Sequence, residues 1–143
     1  MRLTTQVTTL TSRGAEVALK AAVDEAERMN IRLCVAVVDR AGHLLAFRRM
    51  DGAPPPSIEV ATAKAQTAAL FGVPSKTFQT MVNEGQAAIL AVRTLAPLEG
   101  GVPIAVDGVV IGAVGASGAA ASDDAAAAQA GVDALVALCG ESS

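Results

Sequence analysis

Val102-Pro103-Ile104-Ala105-Val106-Asp107-Gly108-Val109-Val110-Ile111-Gly112-Ala113-Val114-Gly115-Ala116 is the stretch that decides the fold. Two β-branched, apolar runs flank Asp107-Gly108, a two-residue turn of the kind that matches the twist of paired strands. The stretch therefore predicts a hairpin, 102–106 against 109–116. Gly112, Gly115 and Gly118 punctuate its far end, where positions without side chains let something approach the backbone closely.

Working outward, residues 33–39 are short, apolar and β-branched, and 43–50 follow the turn Arg40-Ala41-Gly42. They predict a first hairpin. Asp51-Gly52-Ala53-Pro54-Pro55-Pro56 cannot continue a strand, because three prolines remove three backbone donors and fix φ, so the chain leaves the sheet there. Over residues 11–30, Ala15, Ala18, Leu19, Ala22, Val23, Ala26 and Met29 recur at three- and four-residue steps, predicting an amphipathic helix that stops at Asn30. Ser57 is expected to cap an Ala-rich helix closed by Gly72 and Pro74, and Ser75 to cap a short helix carrying Phe78, Met81 and Val82. Residues 83–98 read as helix, turn or part strand. Ser122 is expected to cap the last helix, with Asp123 and Asp124 in its first turn and Gly140 at its end. The order helix, hairpin, helices, hairpin, helix predicts one α+β domain: a central antiparallel sheet built from two hairpins and flanked by helices in α-β-α layers.

Composition bounds the rest. The chain has 143 residues, 52% of them hydrophobic and 17% charged, which suits a single core. It carries 31 alanines, 13 glycines, three phenylalanines and no tryptophan or tyrosine. Small faces bury little area each, at roughly 25 cal/mol per Å², so a homo-oligomer is expected. Eleven basic against fourteen acidic residues give a net charge of −3, and no basic cluster extends beyond Arg48-Arg49, which argues against a nucleic-acid partner. Asp107 interrupts the only long apolar stretch and the N-terminus has no signal-like core, so no membrane partner and a cytoplasmic location are expected. Cys34 and Cys139 offer neither a disulfide framework nor zinc spacing and read as buried free thiols; no metal site is expected.

No nucleophile elbow, phosphate loop or dinucleotide fingerprint is present, and there is one histidine, His43. Three neighbourhoods are chemically richer. Arg49 and Asp51 at the exit of the first hairpin, with Glu59 and Lys64 on the following helix, could form a carboxylate-binding pocket or a structural ion pair. Lys64 stands out, since a lysine on so apolar a helix wants an anionic partner. Gly100-Gly101 could turn backbone amides toward a ligand or make a tight strand entry. Ser117 through Asp124, Asp123 included, offers a hydroxyl, amides and carboxylates, or simple capping.

Taken together, Val37-Val38-Asp39 with Gly42, Arg49-Met50-Asp51-Gly52-Ala53, Ser57 with Ala61, Lys64-Ala65 and Ala68, Phe71, Gly100-Gly101-Val102-Pro103, and 112–118 followed by Asp123 or Asp124 resemble a known family. It is the family named for GlcG, for haem-binding proteins of actinomycetes, and for the C-terminal half of PduO-type adenosyltransferases. The resemblance covers nearly the whole chain and implies a profilin-like or roadblock-like layered domain that assembles into tetramers or octamers. It also implies a capacity for haem or a related tetrapyrrole in some members. Adenosyltransferase activity is not implied, because in PduO-like proteins it belongs to the other half. The resemblance further implies, as the usual candidate for iron ligation, a histidine in the N-terminal helical region, whereas residues 1–30 here contain none and the chain has no tyrosine.

Two functional classes follow. One is an oligomeric small-ligand binding protein, accessory to a catabolic or cofactor pathway, whose pocket uses Arg49, Asp51, Glu59, Lys64, Gly100, Gly101, Ser117 and Asp123, with a tetrapyrrole as one possible ligand. The other is an enzyme, a lyase, isomerase or hydrolase acting on a small organic acid, with Lys64 or Arg49 holding the carboxylate and Asp51 or Glu59 moving a proton.

Overall fold

The strand predicted from the glycine-punctuated half of the second hairpin is the centre of the sheet. In the computed structural model, which describes residues 1–141, β4 (Val109–Ser117) has a strand on each side. It pairs antiparallel with β3 (Gly101–Val106) and with β1 (Cys34–Asp39), and β1 pairs antiparallel with β2 (Leu44–Arg49). The resulting order is β2-β1-β4-β3, two hairpins joined through their inner strands. Asp107 (φ +52°) and Gly108 (φ +78°) supply the positive dihedrals that the two-residue turn needs.

Side-chain alternation then assigns two faces. Val35, Val37 and Val114 point to one face, where they pack with Ala15, Ala18 and Ala22 of α1 (Ser12–Arg28) and with Ala127, Ala128 and Val132 of α4 (Ala121–Glu141). Cys34, Ala36, Val38 and Ala113 point to the other, where Ala61, Ala65 and Ala68 of α2 (Ser57–Phe71) cover them. This is the expected α-β-α layering. Alanine faces permit close approach: a Cβ on Gly115 would press into the Ala61 carbonyl and stand 2.9 Å from the Ala65 Cβ. Because α2 packs on β4, β1 and β3, the outer strand β2 is left largely uncovered on that face, and Leu44 is 51% exposed.

Several caps differ from expectation. Thr11 caps α1, accepting from the Gly14 amide at 3.0 Å. Ser57 is instead the first residue of α2; Pro56 holds the cap position, and the Ser57 hydroxyl bonds back to the Pro54 carbonyl and to the Cys34 sulfur at 3.3 Å. The Ser57 and Ile58 amides instead donate to the Pro54 and Pro55 carbonyls, at 3.0 and 3.4 Å, which takes the place of a side-chain cap. Ser75 does precede α3 (Lys76–Asn83), but its hydroxyl is engaged elsewhere, as described below. Ser122 lies inside α4, whose start is tied by the Asp124 carboxylate accepting from the Ala119 amide at 2.9 Å, and Gly140 lies within that helix and does not end it. Of the two thiols, Cys34 is buried and Cys139 only half-buried.

Residues 83–98 hold no strand. They finish α3, form a 3-10 turn at Ala87–Ala91 and run on irregularly. What secures the run is Thr67 of α2, whose hydroxyl accepts from the Ala96 amide at 2.8 Å and reaches the Ala63 and Thr94 carbonyls. A side chain fixed from another element replaces the periodic pattern that sequence reading looks for.

Candidate functional site

The sheet end opposite the two hairpin turns carries most of the chemistry. Cys34 of β1 lies in register with Arg49 of β2 on one side and with Ser117 of β4 on the other, and the Ala116 amide donates to the Gly100 carbonyl at 3.0 Å. Arg49, Ser117 and the diglycine thus reach the same edge of the molecule, across about three strand spacings of ~4.8 Å each. They do not share one hollow: the cleft at Arg49 is not lined by Gly100 or Gly101.

Lys64 is enclosed, with its residue 3% exposed. Its ammonium donates to Asp124 Oδ2 at 3.1 Å and to the Ala116 carbonyl at 3.1 Å. The anionic partner expected for this lysine is therefore Asp124, itself 2% exposed, whereas the neighbouring Asp123 is half-buried and makes no contact with Lys64. Burial pushes the Asp124 carboxyl up from its ordinary value, outweighing the Ala119 amide and the Lys64 ammonium, which hold it down. The pair bridges the two helical layers, since Lys64 belongs to α2 and Asp124 to α4. No buried side-chain polar atom among the described residues lacks a partner. An enclosed, satisfied pair of this kind positions elements and has no open face for a substrate.

The diglycine serves that same packing. A side chain at Gly100 would stand 2.8 Å from the Lys64 ammonium, and one at Gly101 would press into the Lys64 carbonyl. The Gly101 amide donates to Ser75 Oγ at 2.8 Å, which in turn donates to the Leu98 carbonyl at 2.5 Å. Of the two sequence readings, the tight strand entry is the one the geometry matches. Ser117 is 8% exposed. Glu59 is exposed on the first turn of α2 and does not line the cleft at the β2 exit.

An open concavity does exist at the β2 exit. It measures about 300 Å³ and is lined by Glu27, Arg32, Arg48, Arg49, Met50 and Asp51. Met50 keeps the chain on the sheet for one residue past β2, donating its amide to the Leu33 carbonyl at 2.9 Å, and a turn closed by Ala53 swings Asp51 round to the rim. Arg49 and Asp51 are thus brought to one cleft by a turn. Arg32, Arg48 and Arg49 are exposed, and none forms an ion pair with a carboxylate among the described residues. Three guanidinium groups against two carboxylates leave this cleft with a positive excess, and a guanidinium grips a carboxylate or phosphate through parallel N–H donors. Sequence reading had Arg49 and Asp51 but missed Arg32 and Glu27. Arg32 lies in the short link between α1 and β1, whose closeness to the β2 exit follows only from strand pairing.

Comparison with known proteins bears directly on this arrangement. Residues 10–133 match the family model described as "Haem degrading protein HbpS-like".

The chain belongs to the HbpS-like family.

The HbpS-like chain is 43% identical to Protein GlcG of Escherichia coli K12 over 108 residues, 76% of this chain and 81% of that protein. Among solved structures, Klebsiella pneumoniae ORFY superposes with a TM-score of 0.89 at 30% identity, covering 96% of this chain and 97% of that one. A double-mutant form of Streptomyces reticuli HbpS gives 0.86 at 34% identity, covering 92% and 90%. A structure described as a PduOC:heme complex gives 0.80 at 26% identity, covering 89% and 95%.

The family description raises haem, so the donor set matters. Iron in a haem takes His, Cys, Met or Tyr. The only sulfur lining the arginine cleft is that of Met50, which is 5% exposed and accepts from the Leu33 amide at 3.4 Å. Cys34 is fully enclosed. His43 is exposed, but it precedes β2 while Arg48 and Arg49 end that strand, a separation of roughly 17 Å along an extended strand. Within one protomer the cleft does not fit an iron-ligating haem site. No helix among the described residues is long and apolar enough to cross a membrane.

Proposed function

We propose that this chain is a cytoplasmic, oligomeric small-ligand binding protein of the HbpS and GlcG type, accessory to a catabolic or cofactor pathway, whose ligand is an organic anion. The observation that carries the reading is the cleft at the β2 exit, which Arg32, Arg48 and Arg49 all line without forming an ion pair among the described residues. Its volume of about 300 Å³ is at the lower bound for small-molecule sites, enough for the carboxylate-bearing part of a ligand. Family membership makes a tetrapyrrole, which carries carboxylates at one edge, the first ligand to try. The alternative, an enzyme acting on a small organic acid, is less well supported, because Lys64 is sealed against Asp124 and, of the other candidates, Glu59 does not line the cleft that holds Arg49 and Asp51.

The test is an equilibrium titration with haem, read in the Soret band. Binding is expected, and Arg48→Ala combined with Arg49→Ala should weaken it at least about tenfold, since each lost charge-assisted contact is worth about 1.5–3 kcal/mol. A spectrum that never departs from that of free haem would sink the tetrapyrrole branch.

Self-assembly into tetramers or octamers belongs to the same reading. Supporting it are the low aromatic content, the uncovered side of β2 with Leu44 51% exposed, and Leu70 at 47% and Val109 at 43% toward the turn end of the sheet. Sedimentation velocity at micromolar protein is expected to give a multiple of the 14.3 kDa chain mass; a single species at that mass would refute assembly.

A further inference from the structure

We infer that the exposed apolar run at residues 87–92 is a two-fold contact between copies of this chain, with Glu84 of each copy set against Arg93 of the other. The inference rests on the self-assembly proposed above and assigns one of its surfaces. Three observations support it. Residues 87–92, Ala-Ala-Ile-Leu-Ala-Val, are six apolar residues in succession and none of them is buried; Leu90 is 53% exposed and Val92 38%. Single exposed apolar residues are ordinary, whereas an unbroken run marks a surface that another surface covers. The run is also fixed from both sides. Before it, the Gln86 amide donates to the Met81 carbonyl of α3 at 3.0 Å; beyond it, the Ala96 amide donates to the buried Thr67 hydroxyl of α2 at 2.8 Å. A surface already ordered gives up little further freedom on docking.

The third observation selects the partner. Residues 85–92 carry no charge, and the run is bracketed by one acid and one base, Glu84 and Arg93, both exposed and neither in an ion pair among the described residues. In a two-fold contact, residue i of one copy meets residue j of the other, and j meets i. Two such runs laid antiparallel bring apolar residues together and pair acid with base at both ends. Laid parallel, they would set like charges against each other. The pattern therefore complements itself across a two-fold axis perpendicular to the run, a match that a second copy of the same chain supplies.

The experiment measures self-association of the full chain by sedimentation velocity over a range of concentrations at low salt, with circular dichroism to follow folding. Glu84→Arg and Arg93→Glu are each expected to weaken association at least about tenfold, because two opposite-charge contacts become two like-charge ones. An equal mixture of the two variants should associate like wild type, since each chain then meets the opposite charge at both contacts. Leu90→Asp should weaken association at least about thirtyfold with the circular dichroism unchanged; if that variant unfolds, the mixing result decides. An intrachain role for Glu84 and Arg93 could not be repaired by mixing, so single variants that stay weak when mixed would overturn the inference. Single variants that associate like wild type would overturn it too, as would a folded Leu90→Asp protein that does so. In those cases something other than a second copy covers the run, and the assembly proposed above survives. A wild-type chain that stays monomeric would overturn the inference and the assembly together.

Discussion

Lys64→Met is expected to lower the unfolding free energy by about 3–5 kcal/mol, a large part of what a domain of this size possesses. Methionine keeps most of the aliphatic stem, so the loss comes from leaving the Asp124 carboxylate enclosed without its ammonium partner. The deficit has a defined pH dependence. Burial already pushes Asp124 above its ordinary value of 3.8, and without Lys64 it moves further up. Between 3.8 and the raised folded value, the folded chain holds a proton that the unfolded chain has released, so stability of the variant falls as pH rises through that window. The penalty therefore shrinks toward acid and is full at neutral pH. Urea midpoints for wild type and variant across that range measure it, and a variant as stable as wild type at neutral pH would refute the structural role. Adding Asp124→Leu to Lys64→Met should recover part of the loss, because an apolar pair can replace a buried ionic one.

Gly115→Ala should be as damaging by a different route. The added methyl would press into the Ala61 carbonyl and the Ala65 backbone at 2.5 Å, and neither can swing aside as a side-chain tip could. Either α2 lifts off the sheet or β4 buckles. Overpacking ordinarily costs about 1–3 kcal/mol, and contact with backbone puts this case at or above the upper end. For a domain near 150 residues that corresponds to a fall in thermal midpoint of roughly 10 °C, measurable by circular dichroism. Gly108→Ala makes a useful comparison: nothing stands within 4 Å of the added carbon, so only its positive φ is strained. A smaller loss there than at Gly115 is expected.

The elements whose identity rests on local chemistry were legible before the structure. Asp107-Gly108 names its own turn, the proline run names its own exit, and the stepwise alanines name α1. Legible too was the demand of Lys64 for an anion, although the choice of Asp124 over Asp123 was not, since adjacent residues on a helix point about 100° apart and only the packed layers fix which faces inward. The diglycine was ambiguous for a related reason. Its close neighbour is Lys64 of α2, by its side chain at Gly100 and its backbone at Gly101, and nothing within the local sequence reports that approach. The cleft was half visible. Arg49 and Asp51 are close in sequence, but Arg32 and Glu27 join them only because β1 and β2 pair and α1 ends beside that pairing.

Because Lys64 reaches past the start of β3 to a carboxylate on the opposite side of the sheet, α2 and α4 are coupled by more than the strands between them. Neither helix can peel away alone without stranding a charge. Their amide protons should then exchange with deuterium in a single step at the free energy of global opening, with α3 and the irregular run after it exchanging earlier. The same device bears on where motion for ligand entry can arise: the arginine cleft lies at the outer strand, outside the locked pair, so a local opening there has only the Met50–Leu33 bonds to break and not the buried ion pair.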